Sequence, residues 1–362
     1  MSHFRSNTTR ANSNIIENLN SQERWQHARH TRENIISKFN HFREARNRGG
    51  QYLLDQLGAD GAFPASAPDI CEYYKVITAF QVIGRDDAAG RICDWIRQQG
   101  MTPDGHFGPR PDGVPEHVHA YLNAWIVCGA HRLGQFDLSL PGMKLLLDCW
   151  DSESGGFYAS LTQRDAETNQ ELMGTCMCGL AALYTGMTDV ARGVGGWLRT
   201  VMAAQPDFPR ALYTVYTRSG GLCTEPPGEG GRRYVVYSDA ERDQDFFNPG
   251  IAGGFLCRLY QATGEPEWLA LAQQYMRFAE VASDYLFHIV RAGKVGWATS
   301  LLCTLTQEQK YRDMAVRVGN NLVELQSAEG FWSGVGETAP SNDSTAERVV
   351  WMDEIYQAVN GH

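Results

Sequence analysis

The stretch SAEGFW (residues 327–332) states a phrase that the chain repeats, as GADGAF at 58–63, PDGHFG at 103–108 and SESGGFY at 152–158. Each copy puts glycine shortly before an aromatic residue, between segments whose apolar residues recur with helical spacing. Phe63, Phe107 and Phe157 stand 44 and 50 residues apart. Recurrence of that length marks stacked supersecondary units, none of which can bury its apolar face alone.

Working outward from these turns, the apolar period predicts twelve helices. They lie at 17–57, 69–83, 87–99, 115–133, 139–150, 167–186, 188–203, 246–262, 265–280, 282–305, 307–325 and 345–358. Gly84, Gly134, Gly186 and Gly264 fall where helices should stop. Very short connections (IGRDD, LGQFD, TGMTD, TGEPE, LTQEQ) alternate with the longer ones, so the helices form six hairpins. Six hairpins in a ring give an all-α fold, an (α/α)6 toroid. The exception is 210–240, where ALYTVYTRSGGLCTEPPGEGGRRYVVYS alternates with period two around a Gly/Pro turn, predicting a β-hairpin insertion. No stretch of linker composition divides the chain, so 15–362 is expected to form one domain. Residues 1–14, rich in Ser, Asn, Thr and Arg, are expected to be a flexible leader.

A chain of 362 residues, 43% hydrophobic, can bury a large core. Its net charge of −10 argues against nucleic acid and anionic membranes as partners, because phosphate binding needs a basic surface. No apolar run reaches the length of a membrane span, and the first residues lack the apolar core of a secretory signal. Nine cysteines, an odd number spread singly through apolar stretches, suit reduced thiols and a cytoplasmic location.

The segment NLVELQSAEGFW (321–332) resembles the QW repeat of triterpene and other class II terpenoid cyclases. QYLLDQLGADGAF (51–63) and DWIRQQGMTPDGHF (94–107) are similar to it, with Phe63 and Phe107 in place of Trp. In such a turn Gln caps backbone groups at a helix end, Gly makes the sharp bend and the ring packs between neighbouring pairs. The resemblance implies the toroid shared by these cyclases, protein prenyltransferase β-subunits and six-hairpin glycosidases, lyases and epimerases. The cyclases' Asp-x-Asp-Asp acid is matched only by DQDF (243–246), with Phe246 in the last place. The prenyltransferase zinc pattern is matched by Asp69 and Cys71 in DICEYY, whereas MGTCMCGL has Gly174 where histidine is wanted. Neither full motif is present, so no cofactor is expected.

In a toroid of this kind the inner helices follow the long loops, and their N-termini line one mouth of the central cavity. Polar residues expected there are the site candidates. Asp69 with Glu72 has the form of a capping box; the functional reading makes this pair a general acid or base, with Tyr73 on the same face. His117 and His119 diverge by about 200° around a helix, so one faces the cavity, and His117 shares its face with Tyr121. His106 fills the variable slot of a repeat turn. Asp245 and Asn248 precede the eighth helix, with Asp243 near enough to raise an acid's pKa. His288, Arg291 and Lys294 call for an anionic partner, and Trp125 and Trp297 supply aromatic lining. Glu167, Glu171, Asp353 and Glu354 are further carboxyls that a glycosidase would pair across a cavity.

Asp69, His117, Tyr121 and Asp245 are therefore the expected catalytic residues. Tyr73, Trp125, Asn248, His288, Arg291 and Trp297 are expected to bind substrate. The leading expectation is an enzyme that encloses a small, largely apolar molecule and cyclises or isomerises it without a redox cofactor. The alternative is a six-hairpin carbohydrate-active hydrolase, lyase or epimerase. A third reading is a partner-binding scaffold. A closed apolar pocket would favour cyclisation, and an open polar one would favour sugars.

Overall fold

The computed structural model describes residues 39–64, 69–111, 113–226, 231 and 233–360. The proposed leader 1–14 and the first part of the predicted helix 17–57 lie outside these residues. From Phe42 onward the chain forms one compact unit. The described residues hold twelve α-helices: α1 Asn40–Gln56, α2 Val76–Val82, α3 Asp86–Trp95, α4 His119–Arg132, α5 Phe136–Asp148 and α6 Leu172–Tyr184. The remainder are α7 Thr188–Ala203, α8 Phe247–Thr263, α9 Pro266–Val281, α10 Gly293–Thr306, α11 Gln309–Glu324 and α12 Asn342–Asn360.

Even-numbered helices pack on one another in the order α2, α4, α6, α8, α10 and α12, and α12 returns to α2, so an inner ring closes. Odd-numbered helices cover it from outside. The sequence decides which helix goes where. Helix α4 is buried without a break from Ala120 to Ala130, as a helix with neighbours on every side must be. Helix α11 buries only the stripe Tyr311, Met314, Ala315, Val318, Gly319, Asn321 and Leu322. The fold is the expected (α/α)6 toroid.

The repeated turns explain how the ring is held. Gly105 has φ +88°, and a Cβ there would stand 2.2 Å from the Pro141 carbonyl oxygen on α5. Gly61, Gly155 and Gly330 make the same close approach, to Arg91 on α3, Gly193 on α7 and Arg48 on α1. Each such loop leaves one outer helix and leans on the next, and the last contact carries the series from α11 back to α1. The aromatic residue two places on is buried, and in three of the four copies its N–H reaches the following inner helix. Phe107 donates to Asn123 Oδ1 (3.4 Å), Phe157 to Thr175 Oγ1 (3.2 Å) and Trp332 to Thr345 Oγ1 (3.0 Å). Gln326 donates to the carbonyls of Ala45 and Gly330, the capping expected of the QW glutamine.

Four predicted helices open with other structure. That from 115 begins with the 3-10 turn Glu116–Val118, which carries His117, before α4. The segment from 69 opens with a 3-10 turn, Ile70–Glu72, before α2, because the Asp69 carboxylate takes the Cys71 N–H (2.8 Å). The segment from 167 opens with strand β1, Gln170–Glu171, and that from 282 with two 3-10 turns, Asp284–His288 and Val290–Ala292. The β excursion is present, as two small sheets. β2 (Ala211–Tyr213) pairs antiparallel with β5 (Val235–Tyr237), while β3 (Val215–Thr217) lies between β1 and β4 (Gly221–Leu222). Pairing with β1 is what unwinds the approach to α6. All nine cysteines are free thiols, and no helix among the described residues is long and apolar enough to cross a membrane.

Candidate functional site

All six inner helices begin at the same mouth of the ring, and their approaches enclose a cavity of about 570 Å³. Lys75, His117, Tyr121, Asp245, Arg291, Lys294, Asp343, Glu347 and Arg348 line it, with Glu72, Tyr74, Phe247 and Glu337. So many ionisable groups at helix N-termini need mutual compensation, and the contacts show how it is arranged.

Glu347 is the centre of the floor. Its carboxylate accepts from Lys294, from Lys75 (2.5 Å), from Arg348 (3.3 Å) and from the indole N–H of Trp351 (3.1 Å). Burial opposes its ionisation, but Lys294, Lys75 and Arg348 outweigh burial and hold it well below the usual carboxylate range. Burial likewise works against the Lys75 ammonium, and Asp343 (2.8 Å) with Glu347 more than offsets it, so its pKa lies above the ordinary lysine value. Aromatic faces complete the cradle. Lys294 Nζ lies 5.1–5.9 Å from the ring centres of Phe247, Tyr121 and Trp351, and Lys75 Nζ lies 4.9 Å from that of Tyr74.

The rim is less tightly compensated. Arg291 bridges Asp243 (3.1 Å) and Asp245 (3.3 Å). Burial, then the nearby Asp69 and Asp343 carboxylates, raise the Glu72 pKa. His117 offers Nδ1 to the Arg233 guanidinium at 2.9 Å. Arginine stays protonated and can only donate, so Nδ1 is an acceptor and the ring proton sits on Nε2. Burial, then the charges of Arg233 and His119, push the His117 pKa down to about 4, leaving a neutral ring at neutral pH.

The expected residues are sorted by this geometry. His117, Tyr121, Asp245 and Arg291 meet on the cavity. Asp69, a residue expected to be catalytic, caps a turn instead, and Tyr73 faces away, stacked on Trp95 at 3.7 Å with its hydroxyl accepting from Phe63 N–H. Glu72 and Tyr74 take the cavity positions beside them. Cys71 lines the cavity, but among the described residues no cluster of three or more His, Cys, Asp or Glu is placed to hold a metal. His119 turns to the Val114 carbonyl (3.3 Å), and His106 packs against its ring while Arg110 bonds His106. Asn248 is buried, tied to the Asp245 carbonyl, and His288 is exposed in a neighbouring groove of about 780 Å³. Trp125 and Trp297 lie beneath the floor, where Trp297 stacks on Trp351 at 4.9 Å; the space they border is only about 50 Å³.

Lys75, Asp343, Glu347, Arg348 and Arg233 were not among the sequence candidates. A signal existed in TAERVVWM (345–352), where two adjacent charges interrupt a mostly apolar stretch.

No protein-family model matches the chain, and no curated protein matches it in sequence. Solved structures do match in shape. A D-mannose isomerase superimposes with TM-score 0.65 at 11% identity, over 87% of this chain and 96% of that one. An alpha-1,6-mannanase from Salegentibacter gives 0.61 at 10%, over 88% and 99%. A type II terpene cyclase from Scytonema, in complex with geranylgeranyl dihydroxybenzoate, gives 0.54 at 12%, over 89% and 98%. These likenesses show the six-hairpin toroid fold and cover most of both chains.

Proposed function

We propose that the chain is an enzyme that isomerises or epimerises a small, hydroxyl-rich molecule of carbohydrate type by proton transfer next to a carbonyl. The observation that carries this reading is the contrast between two spaces on the ring axis. The roomy one, about 570 Å³, is lined by charged and hydrogen-bonding groups, while the mostly apolar one among Trp125, Trp297 and Trp351 holds only about 50 Å³. Among the described residues, the mostly apolar space on the axis is too small for a flexible apolar chain to fold in for cyclisation. The fold likeness to an isomerase and a mannanase supports the same choice over the cyclase.

The residues have roles that follow from their states. Neutral His117, with its proton on Nε2, is a hydrogen-bond donor for a substrate carbonyl oxygen, and a neutral imidazole loses no proton in doing so. Glu72, whose pKa is raised by burial and by Asp69 and Asp343, is the base that removes the proton from the adjacent carbon and returns it. Lys75 and Lys294, fixed by Glu347, give the floor donors for hydroxyl oxygens. Proton transfer of this kind moves no electrons to an external acceptor and calls for no redox cofactor.

The test is turnover in deuterium oxide with a panel of aldoses, ketoses and N-acetylhexosamines. Deuterium is expected at the carbon beside the carbonyl, and His117→Gln and Glu72→Gln should each slow exchange by about 100-fold or more. Conversion of a polyprenyl or polyene chain, with no exchange into any sugar, would overturn the reading.

A further inference from the structure

Behind His117 lies a second cavity of about 330 Å³, lined by Glu116, His117, Ser160, Glu167, Asn169, Glu171 and Arg233 among others. Among the described residues, only His117 belongs to both cavities. The far side of its ring leads to a linked pair of charges. Arg233 Nη1 meets His117 Nδ1 at 2.9 Å, and Arg233 Nε lies 3.4 Å from Glu171 Oε1. Arg233 Nη2 also donates to the Tyr234 hydroxyl at 3.2 Å. Glu171 is 6% exposed, and among the described residues no hydrogen bond reaches its Oε1. A carboxyl that is buried, within ion-pair reach of one guanidinium and otherwise unpartnered at that oxygen has no evident structural duty.

We infer that Glu171 is a positioning residue of the site, acting through the Arg233 guanidinium to set how strongly the His117 ring donates from Nε2. Burial raises its pKa, Arg233 lowers it, and Asp245, on the loop before α8, raises it again, to about 7. Among the described residues, the charges that act on it are thus Arg233 from the approach to β5 and Asp245 from the approach to α8, while Glu116, Glu167 and His117 share its cavity. Below pH 7 Glu171 holds its proton, the Arg233 charge acts undiluted on Nδ1, and the Nε2 proton is the more acidic. Above pH 7 the ionised carboxylate offsets Arg233, and His117 becomes the weaker donor. His117 itself stays neutral throughout, because its own titration lies near pH 4. This inference rests on the proposed role of His117 as an N–H donor.

The experiment follows the histidine ring nitrogens by NMR in the full-length chain, labelled with 15N-histidine, from pH 5 to 9. The His117 Nδ1 shift should inflect near pH 7 with the Nε2–H tautomer retained, and both Glu171→Gln and Arg233→Met should abolish the inflection while the other histidine signals keep their positions. Solvent exchange into the sugar should fall as pH rises through 7 in the native chain, and Glu171→Gln should remove that limb. A flat His117 signal in the native chain, or an inflection that survives Glu171→Gln, overturns the inference. Exchange into sugars with a flat ring signal would sink this inference alone, whereas an inflecting ring without exchange into any sugar would sink only the proposed reaction.

Discussion

Glu347 and Glu354 sit seven residues apart on α12, on the same face and both inside the ring. Trp351 lies between them. Glu347, on the mouth side, has Lys75, Lys294 and Arg348 around it and is held well below the usual carboxylate range. Glu354, on the other side of Trp351, is raised: burial acts first, Arg258 opposes it, and Asp353 adds to it. One helix therefore carries two inward-facing glutamates, Glu347 buried and Glu354 half-buried, with opposite shifts. Burial alone does not decide the state of a carboxyl; the number of cations that share the burial does.

The largest effect should come from Glu347→Gln, which leaves three cations in the floor with Asp343 alone to balance them. A loss of about 3–5 kcal/mol is expected by urea unfolding. A loss under about 1 kcal/mol would mean that water already screens the cluster, and the contrast with Glu354 would collapse. Trp351→Phe is intermediate, at about 1–2 kcal/mol, since it removes the indole bond to Glu347 and leaves a gap beside Trp297. Glu354→Gln should be smallest, within about 0.5 kcal/mol at neutral pH, because Arg258 is partly exposed and can turn to water.

The two also predict opposite pH slopes. Glu347 has a folded pKa below its unfolded value, so its contribution is present above about pH 4.5 and is lost as pH falls toward the folded value. Glu354 has a folded pKa above its unfolded value, so its effect is fully favourable below about pH 4.5 and is lost as pH rises through the folded value. Unfolding curves of Glu347→Gln should flatten on the acid side of pH 4.5, and those of Glu354→Gln on the other. The same slope for both variants would break the comparison.

How much of this was legible in the sequence follows from what each feature depends on. The ring was legible because Gly105-x-Phe107 and its copies encode a local bend and a local contact, which repeat visibly. His117 was legible as one of two diverging histidines, since helical spacing alone forbids both from facing the same way. Glu347 and Lys75 were not, because a charge in a helix ordinarily faces solvent, and only closure of the ring turns α2 and α12 inward. Asp69 misled for the complementary reason: Asp-x-x-Glu fits a cap and an acid equally well in sequence, and the cap took the aspartate while the glutamate reached the cavity. Arg233 and Glu171 are joined through a β excursion whose strand pairing links residues more than forty positions apart, which no local pattern records.

The ring is joined at α12, the last of the described helices to be synthesised. Until it arrives, Lys75 and Lys294 have no glutamate to meet, and α2 lacks a neighbour. The final helix brings the closing wall and the central anion together, so one element both closes the ring and balances the charges of its floor.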